Sequence, residues 1–282
     1  MAPAQMAPAQ VTREDLQHVL ASHHGNASLT AAFEAAASKP ERLICVLARY
    51  IQFNGTFGPG LANLAGEIAA RQGLFRDPAE PVVILQDRAA EVAADFFHAA
   101  VDEFDDTATA WRDTHRTLAQ ATLKGLGRVS GYAPEALNEL IHIDAATRDA
   151  MASVAEGYGI AAALSDERLF RGMGFHAGSE VLADQEFTII DSVLRAKCPD
   201  VVKALLTTEV EILGNKHNAY YWISIHTSVE ADHFEAAVRG VNNALRFYAG
   251  SEDRAVPKQW ILDGFCHFAD VQAAFMAALA AG

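Results

Sequence analysis

Apolar residues recur along most of the chain at intervals of three and four positions, with polar residues between them. The clearest example follows Pro40, where the apolar positions i, i+3, i+4 and i+7 are Leu43, Val46, Leu47 and Tyr50. This spacing places side chains on one face of an α-helix. No stretch shows a convincing alternation of apolar and polar residues, so the sequence predicts an all-α fold without β-strands.

Caps, glycines and prolines divide this pattern into separate helices. Thr12 precedes Glu14 and Asp15 as an N-cap would, and Pro199 is expected to stop a long helix. The predicted helices cover residues 29–38, 41–53, 61–73, 81–102, 110–126, 134–157 and 160–195, then a helix around His226 and a last helix from Pro257. Residues 1–11, which contain the repeat MAPAQMAPAQ, are expected to form a disordered tail before a single helical domain over residues 12–282.

A stripe of candidate metal ligands lies in the stretch 215–248. His226, Glu230 and His233 occupy positions i, i+4 and i+7, which places them within about 60° on one helical face. The apolar residues around them indicate a largely buried helix. Burial of two imidazoles and a carboxylate is costly, and metal coordination offsets that cost for all three. The pattern favours a non-haem metal helix; an amphipathic helix with these groups in water is the alternative.

Composition and charge narrow the classes of partner. The chain of 282 residues is 51% hydrophobic, with a formal net charge of −14 and a pI near 5.1. Nucleic acids and anionic membranes are polyanions, so this charge argues against both and favours a small-molecule partner. No apolar run is expected to reach the roughly 20 residues of a membrane span, and the N-terminus does not resemble a signal peptide. Three widely spaced cysteines, Cys45, Cys198 and Cys266, fit a reducing cytoplasm.

Because metal sites in helical bundles take ligands from several helices, other parts of the chain must complete the site. Residues 101–127 contain an acidic cluster followed by His115 in an apolar helix. Residues 174–187 contain Glu180, preceded by three small residues that let a carboxylate lie between packed helices. These two stretches are the candidates for the remaining ligands.

Together these motifs resemble those of the haem-oxygenase-like dimetal oxidases and oxygenases, the superfamily that also contains iron-containing redox enzymes. The matching positions are Asp102-Glu103, His115 with Leu126-Gly127, Ser179-Glu180 with Glu186-Phe187, and His226, Glu230, His233 and Phe234. The resemblance covers about residues 40–280. It implies that the all-α domain is a haem-oxygenase-like helical bundle.

The resemblance also implies a site for two ferrous ions in each chain, with manganese as the alternative metal. Carried over by position, the ligands are Glu103, His115, Glu180, His226, Glu230 and His233. Such a centre reacts with dioxygen and oxidises a small substrate, expected here to be derived from an amino acid. The family reactions include N-oxygenation, carbon–carbon cleavage and oxidative rearrangement. An electron donor and a second copy of the chain are further partners that the resemblance allows.

The sequence departs from the family pattern at two places, and the first leaves an alternative for the first ligand pair. The spacing from Glu103 to His115 is longer than in several relatives, and Glu91 and His98 form a competing pair at i and i+7. The Leu-Gly sequence that ends twelve residues after His115 favours Glu103 and His115. In addition, Glu230 stands where the family often has Asp, which keeps the ligand type and lengthens its reach.

Additional residues are candidates for ligand or substrate binding, each with a simpler structural interpretation. Glu67 is a possible extra carboxylate ligand, although a solvated position is favoured. Four arginines near the metal helices could bind a substrate carboxylate or form surface ion pairs: Arg168, Arg171, Arg239 and Arg246. Four aromatic residues could line a pocket or belong to the core: Tyr158, Tyr220, Tyr221 and Trp222.

Two other classes of function remain open at this stage. A metal-free enzyme or binding protein of the thiaminase or cofactor-synthesis type would use the same histidines and glutamates to contact an organic ligand. Haem binding through a histidine is less favoured, because Glu230 and His233 would lie against the porphyrin beside His226.

Overall fold

The computed structural model describes residues 9–77, 79–80, 84–85, 87–107, 109–160 and 163–282. The side chains of Asp184 and of residues 228–232 are outside this description. The predicted disordered tail therefore lies, for residues 1–8, outside the described residues. Val11, which the sequence assigned to that tail, is buried, and its backbone exchanges two hydrogen bonds with the Asn242 side chain.

Helices account for nearly all of the regular structure, and the predicted all-α bundle is confirmed. In the described chain they are α1 (Arg13–Ala21), α2 (Gly25–Ala36), α3 (Pro40–Asn54), α4 (Phe57–Ala70), α5 (Asp87–Phe104), α6 (His115–Val129), α7 (Pro134–Leu140), α8 (Ala145–Gly157), α9 (Asp166–Lys197), α10 (Pro199–Thr207), α11 (Tyr221–Phe247) and α12 (Ala255–Ala281).

Local capping explains most of the helix boundaries. Thr12 forms a capping box with Asp15, as its position suggested. The helix expected from residue 110 instead begins at His115, because Thr114 caps it through the backbone N–H of Thr117. The run 134–157 is two helices, because Ile141 is extended and Asp144 caps α8. Pro199 ends α9, as predicted, and also starts α10.

The expectation of a strand-free chain is wrong at one place. Strands β1 (Glu209–Ile212) and β2 (Asn215–Asn218) form an antiparallel hairpin, and Gly214 in its turn has a φ of +83°. Buried and exposed positions alternate along β1, a signal too short to stand out in the sequence. The hairpin packs on α6, and His217 Nδ1 lies 3.2 Å from Asp113 Oδ2, two residues before His115.

The long helix α9 lies at the centre of the bundle and packs against α12 on one side and α11 on another. The contact with α12 is close because glycines meet backbone: a Cβ at Gly174 would lie 1.8 Å from the Ile261 carbonyl oxygen, and one at Gly264 would lie 1.9 Å from that of Arg171. Buried apolar residues from Val11 to Leu279 form one contiguous cluster around these helices.

Helix α12 is more apolar than the sequence analysis allowed. By length and composition alone this 27-residue helix could cross a membrane, so the expectation that no segment reaches that length is wrong. In the fold, however, α12 packs against α9, α2 and α8, and Phe265, Phe268 and Met276 lie in the core. Its apolar character is therefore accounted for by burial between helices.

Candidate metal centre

Three helices bring a carboxylate and two imidazoles together. Glu103 lies in the last turn of α5, His115 is the first residue of α6, and His226 lies on α11. The Nδ1 atom of His115 is 3.2 Å from Glu103 Oε1 and 3.2 Å from His226 Nε2. One ligand atom from each residue falls within 4.8 Å of the others.

The orientation of His226 is fixed by its neighbours. Its Nδ1 lies 2.7 Å from the carbonyl oxygen of Trp222, one helical turn earlier, which can only accept a hydrogen bond. The proton therefore resides on Nδ1, and Nε2 presents a lone pair toward Glu103 and His115. The ring of Phe187 stacks on the imidazole with centroids 4.1 Å apart and planes at 16°. A backbone acceptor behind a histidine is the usual arrangement around a bound metal.

This geometry fits a metal ion. Ligand atoms at the usual bond length of about 2.1 Å from one metal lie roughly 3–4 Å from each other. The separations of 3.2 Å around His115 Nδ1 fall in that range. His115 Nε2 lies 3.8 Å from the buried carboxylate of Asp106, on the side away from Glu103. Carboxylate and imidazole ligands of this kind suit iron or manganese.

A second group of ionisable residues lies beside the first. His233 Nδ1 is 3.6 Å from Glu180 Oε2, and His233 Nε2 is 2.9 Å from Asp102 Oδ2. Glu180 Oε1 is in turn 3.3 Å from His176 Nδ1. The structure thus brings together two more of the predicted ligands, Glu180 and His233, and adds a carboxylate that the sequence analysis had not taken as a ligand.

His176 is a residue of the site that the sequence analysis missed. It is fully buried, and its Nδ1 also lies 3.3 Å from the hydroxyl of Tyr158, which is 2.9 Å from Ser179 Oγ. Burial, followed by the charge of His233, lowers the pKa of His176 to about 3, so the ring is neutral near pH 7. The signal was present, because His176 and Glu180 are one helical turn apart.

Two opposing effects set the pKa of Glu103. Burial raises the pKa of this carboxyl, but the adjoining His115, with two further histidines, lowers it by more, so the pKa of Glu103 lies below its ordinary value. Glu103 is therefore an anion at neutral pH. An ionised carboxylate among imidazole lone pairs is the protonation state that metal binding requires.

A small cavity lies next to both groups. Its volume is about 40 Å³, counted over the positions open to the centre of a water molecule. The polar wall includes four predicted ligands, which are Glu103, Glu180, His226 and His233. The lining also includes apolar side chains, which are Phe57, Leu61, Ala99, Ala183 and Phe268. The cavity therefore combines ionisable and apolar side chains in its lining.

A further buried carboxylate, Glu186, also lines the cavity. It accepts a hydrogen bond of 2.7 Å from the Tyr50 hydroxyl and one of 2.8 Å from Gln272 Nε2. The Gln272 Oε1 atom is 2.8 Å from His23 Nε2. Each Glu186 oxygen is thereby held by a donor from α3 or α12, which fixes the carboxylate beside the centre.

The competing and additional ligand candidates lie elsewhere. Glu91 is exposed and pairs with Arg88, while His98 is exposed with its ring 5.8 Å from that of His233. Glu67 pairs with Arg71 on its own helix. Glu230 is on α11, but its side chain lies outside the described residues, so its place in the predicted ligand set stays a prediction.

Of the residues suggested for substrate binding, some line the cavity and others lie away from it. Tyr158 lines the cavity, whereas Trp222 is core and Tyr220 donates a hydrogen bond to Asp191. Three of the four arginines pair with acids away from the cavity, Arg171 with Glu167 and Asp263, Arg239 with Asp95, and Arg246 with Asp77. Arg168 lines a surface pocket. None of the four is among the described residues that line the cavity.

Fold and site together define an all-α helical bundle with a carboxylate–histidine cluster beside a small cavity. Among solved structures, the chain is similar to the crystal structure, at 2.00 Å resolution, of a CADD-like protein of unknown function from Nostoc punctiforme PCC 73102. The TM-score is 0.51 and the sequence identity 17%, over 95% of this chain and 98% of that one. No protein-family model and no curated protein matches the chain. This similarity supports the fold alone. The activity has to be inferred from the residues of the site.

Proposed function

We propose that this protein is a non-haem dimetal oxidase or oxygenase that uses dioxygen to oxidise a small substrate. The observation that carries the proposal is the convergence of ligand atoms of Glu103, His115 and His226 within 4.8 Å of one another. The cavity beside them is lined by Glu103 and His226 and also by Glu180 and His233. CADD-like proteins are placed in the haem-oxygenase-like diiron superfamily, so the fold likeness agrees with the resemblance of the sequence motifs.

Two ferrous ions are the cofactors proposed, with manganese as the alternative, and they would be held by Glu103, His115, Glu180, His226, Glu230 and His233. Bound there, ferrous iron would supply the electrons that reduce dioxygen. An amino-acid-derived substrate and an electron donor belong to the same proposal on the ground of the resemblance. A cytoplasmic location belongs to it on the ground of the three widely spaced cysteines.

The chain contributes orientation and water exclusion to this chemistry. Trp222 and Phe187 hold the His226 ring so that Nε2 faces the centre. Phe57, Leu61 and Phe268 line the cavity with apolar surface, which would reduce the amount of water beside the reacting atoms. Tyr158 and Ser179 place hydroxyl groups at the edge of the cavity, where they can donate to or accept from a bound substrate.

Dioxygen uptake tests the proposal directly. Protein loaded with ferrous iron without oxygen should consume dioxygen when mixed with aerated buffer, in proportion to the iron bound. His226→Gln should abolish this uptake, and His98→Gln, which alters an exposed histidine, should leave it unchanged. A wild-type protein that folds but neither binds iron nor consumes dioxygen would favour the metal-free enzyme of the thiaminase type.

A further inference from the structure

A second and larger cavity lies at the surface, lined by residues of α6, α7 and strand β1. Its volume is about 470 Å³, counted in the same way as the volume of about 40 Å³ for the cavity at the metal centre. Pockets that hold small organic ligands commonly measure roughly 300–1,000 Å³. None of the described residues that line this surface cavity also lines the cavity at the metal centre. We call it the α6–α7 pocket.

Two helical stripes line the α6–α7 pocket. Helix α6 contributes positions i, i+3, i+4 and i+8 from Gln120, and α7 with its C-cap contributes positions i, i+3, i+4 and i+7 from Pro134. Residues at these spacings share one face of a helix. Much of the lining is apolar, and it includes Leu123, Pro134, Leu137 and Ile141 from these stripes and Val210 from β1.

The charged residues among the described lining of the α6–α7 pocket are two cations, Lys124 and Arg128, one turn apart on α6. Lys124 Nζ donates a hydrogen bond of 3.1 Å to the backbone carbonyl oxygen of Glu211. Arg128 Nη1 donates one of 2.9 Å to the backbone carbonyl oxygen of Glu209. These bonds hold both cations at the pocket and leave other N–H groups of each to bind a ligand.

In the described part of the chain, neither of these two cations forms an ion pair with an acidic side chain. This sets them apart, because acidic residues outnumber lysine and arginine by 36 to 22, and arginines such as Arg88 and Arg112 are ion-paired. The side chains of Glu209 and Glu211 are exposed, on the face of β1 opposite the buried Val210. The positive charge at the pocket is therefore not compensated by acidic side chains in its lining.

The other acidic residues near the α6–α7 pocket are not part of its lining. Glu41 accepts a hydrogen bond from the Tyr132 hydroxyl, and only the tyrosine of this pair lines the pocket. Glu135 and Glu139 are exposed on α7, outside the stripe of that helix that lines the pocket. An anion in the pocket would thus meet cations and uncharged groups first.

We propose that the α6–α7 pocket binds an amphipathic organic anion, a small molecule with a carboxylate or sulfonate group on an aliphatic or aromatic body. Lys124 and Arg128 bind the anionic group through charge-assisted hydrogen bonds. The apolar stripe residues cover the body, and Gln120 and Asn138 offer further hydrogen bonds from the lining.

The charge of the whole chain favours a small anion over a polyanion. A nucleic acid or an anionic membrane extends over a wide surface and would meet the net charge of −14. A small anion responds mainly to charges within about 10 Å, the screening length at 0.1 M salt, and there it meets Lys124 and Arg128. The proposal does not depend on the proposed function, because the pocket and the metal-centre cavity share no described lining residue. Metal-free and metal-loaded protein should bind the anion alike.

Fluorescence titration tests the proposal with two probes, 8-anilinonaphthalene-1-sulfonate and N-phenyl-1-naphthylamine, which has the same rings without the sulfonate. Lys124→Gln combined with Arg128→Gln should weaken binding of the sulfonate probe by at least about tenfold, because two charge-assisted contacts are lost, and should leave binding of the neutral probe unchanged. The matched control combines Lys203→Gln with Arg168→Gln, two exposed positions outside the pocket, Arg168 lining a different one. The control should bind both probes as wild type does.

A bulky substitution tests the apolar part of the α6–α7 pocket. Asn138→Trp fills the pocket from an exposed position on α7 and should weaken binding of both probes. Ala136→Trp, at an exposed position of the same helix outside the lining, should bind both as wild type does. Thermal unfolding as in wild type would show that each variant retains the fold.

Competition identifies the class of anion. Either 1-naphthoate or decanoate should displace the sulfonate probe from wild-type protein, and the one that does so at the lower concentration indicates an aromatic or an aliphatic body. Displacement by a hexaglutamate peptide and by neither organic acid would mean that the pocket binds an acidic protein segment. That result would overturn the proposal, as would equal binding of the sulfonate probe by wild type and by the variant of Lys124 and Arg128.

Discussion

His115 and His98 belong to the two competing candidate pairs for the first metal motif, and their surroundings differ. The ring of His115 is buried between Glu103 and His226, and that of His98 is exposed. We expect His115→Gln to weaken ferrous iron binding by more than the roughly 10–100-fold that is typical when a group that only orients a ligand is lost. His98→Gln should leave the affinity unchanged. Anaerobic titration with an iron indicator measures both, and the opposite ranking would place the first metal motif at Glu91 and His98.

His176 should make the stability of the metal-free protein depend on pH. Its pKa falls from 6.5 to about 3 on folding, so the unfolded chain binds the proton first as the pH drops. The folded state then loses up to about 1.4 kcal/mol for each pH unit between these values. Urea unfolding of chelator-treated protein measures this slope below pH 6.5.

Two variants separate His176 from the other titrating groups. His176→Gln removes the ionisable ring and should flatten the slope, while His18→Gln, at an exposed position in α1, should leave it as in wild type. Equal slopes in all three proteins would mean that His176 does not contribute to the pH dependence.

Much of the candidate site could be predicted at the level of residues because its signals are local. The stripe of His226 and His233 follows from helical spacing alone, and Glu103 and Glu180 came from short motifs. Asp102 and Glu186 belong to those motifs, but the residues that they contact could not be predicted from the sequence. The contact between Asp102 and His233 joins residues 131 positions apart, and that between Glu186 and Gln272 joins residues 86 apart. Such pairs are set by how the helices pack.

At the scale of elements, the longer helices were predictable, but their ends and their number were less so, since the run 134–157 is two helices and α10 was not predicted. Thr12 and Pro40 mark helix starts by local chemistry, and both predictions hold. The start of α6 was placed too early because the capping residue Thr114 was overlooked. The hairpin of β1 and β2 was missed, since four residues of alternation are too few to outweigh the helical pattern around them. The close approach of α9 and α12 depends on glycines whose partners lie far along the chain.

That close approach gives a prediction about Gly264. A methyl group there would press into the backbone carbonyl of Arg171, so Gly264→Ala should lower the free energy of unfolding by about 1–3 kcal/mol. Gly66→Ala is the matched control, because its added Cβ meets nothing within 4 Å in α4. That change should raise stability by about 0.5–1 kcal/mol through helix propensity. Chemical denaturation measures both, and a neutral Gly264→Ala would mean that α9 and α12 can separate at no cost.

At the scale of the whole molecule, the fold explains why carboxylates and imidazoles can be buried together. Helices α5, α9 and α11 each contribute ionisable side chains to one small cavity, and α6 places His115 against Glu103 and His226. Three carboxylates, Glu103, Glu180 and Glu186, line it, and like charges at such range oppose folding unless a cation or donors compensate them. Tyr50 and Gln272 compensate Glu186. Histidines adjoin Glu103 and Glu180. In this account metal ions bound by the same groups add positive charge between the carboxylates, so iron should raise the melting temperature.

The metal content of the protein tests this central claim most directly. Wild-type protein is loaded with ferrous iron under anaerobic conditions, freed of excess metal, and analysed for iron and manganese by mass spectrometry against the protein concentration. The account predicts two metal ions per chain in wild type and fewer in Glu103→Gln, with Glu91→Gln equal to wild type. Folded wild-type protein with no stoichiometric metal would contradict it.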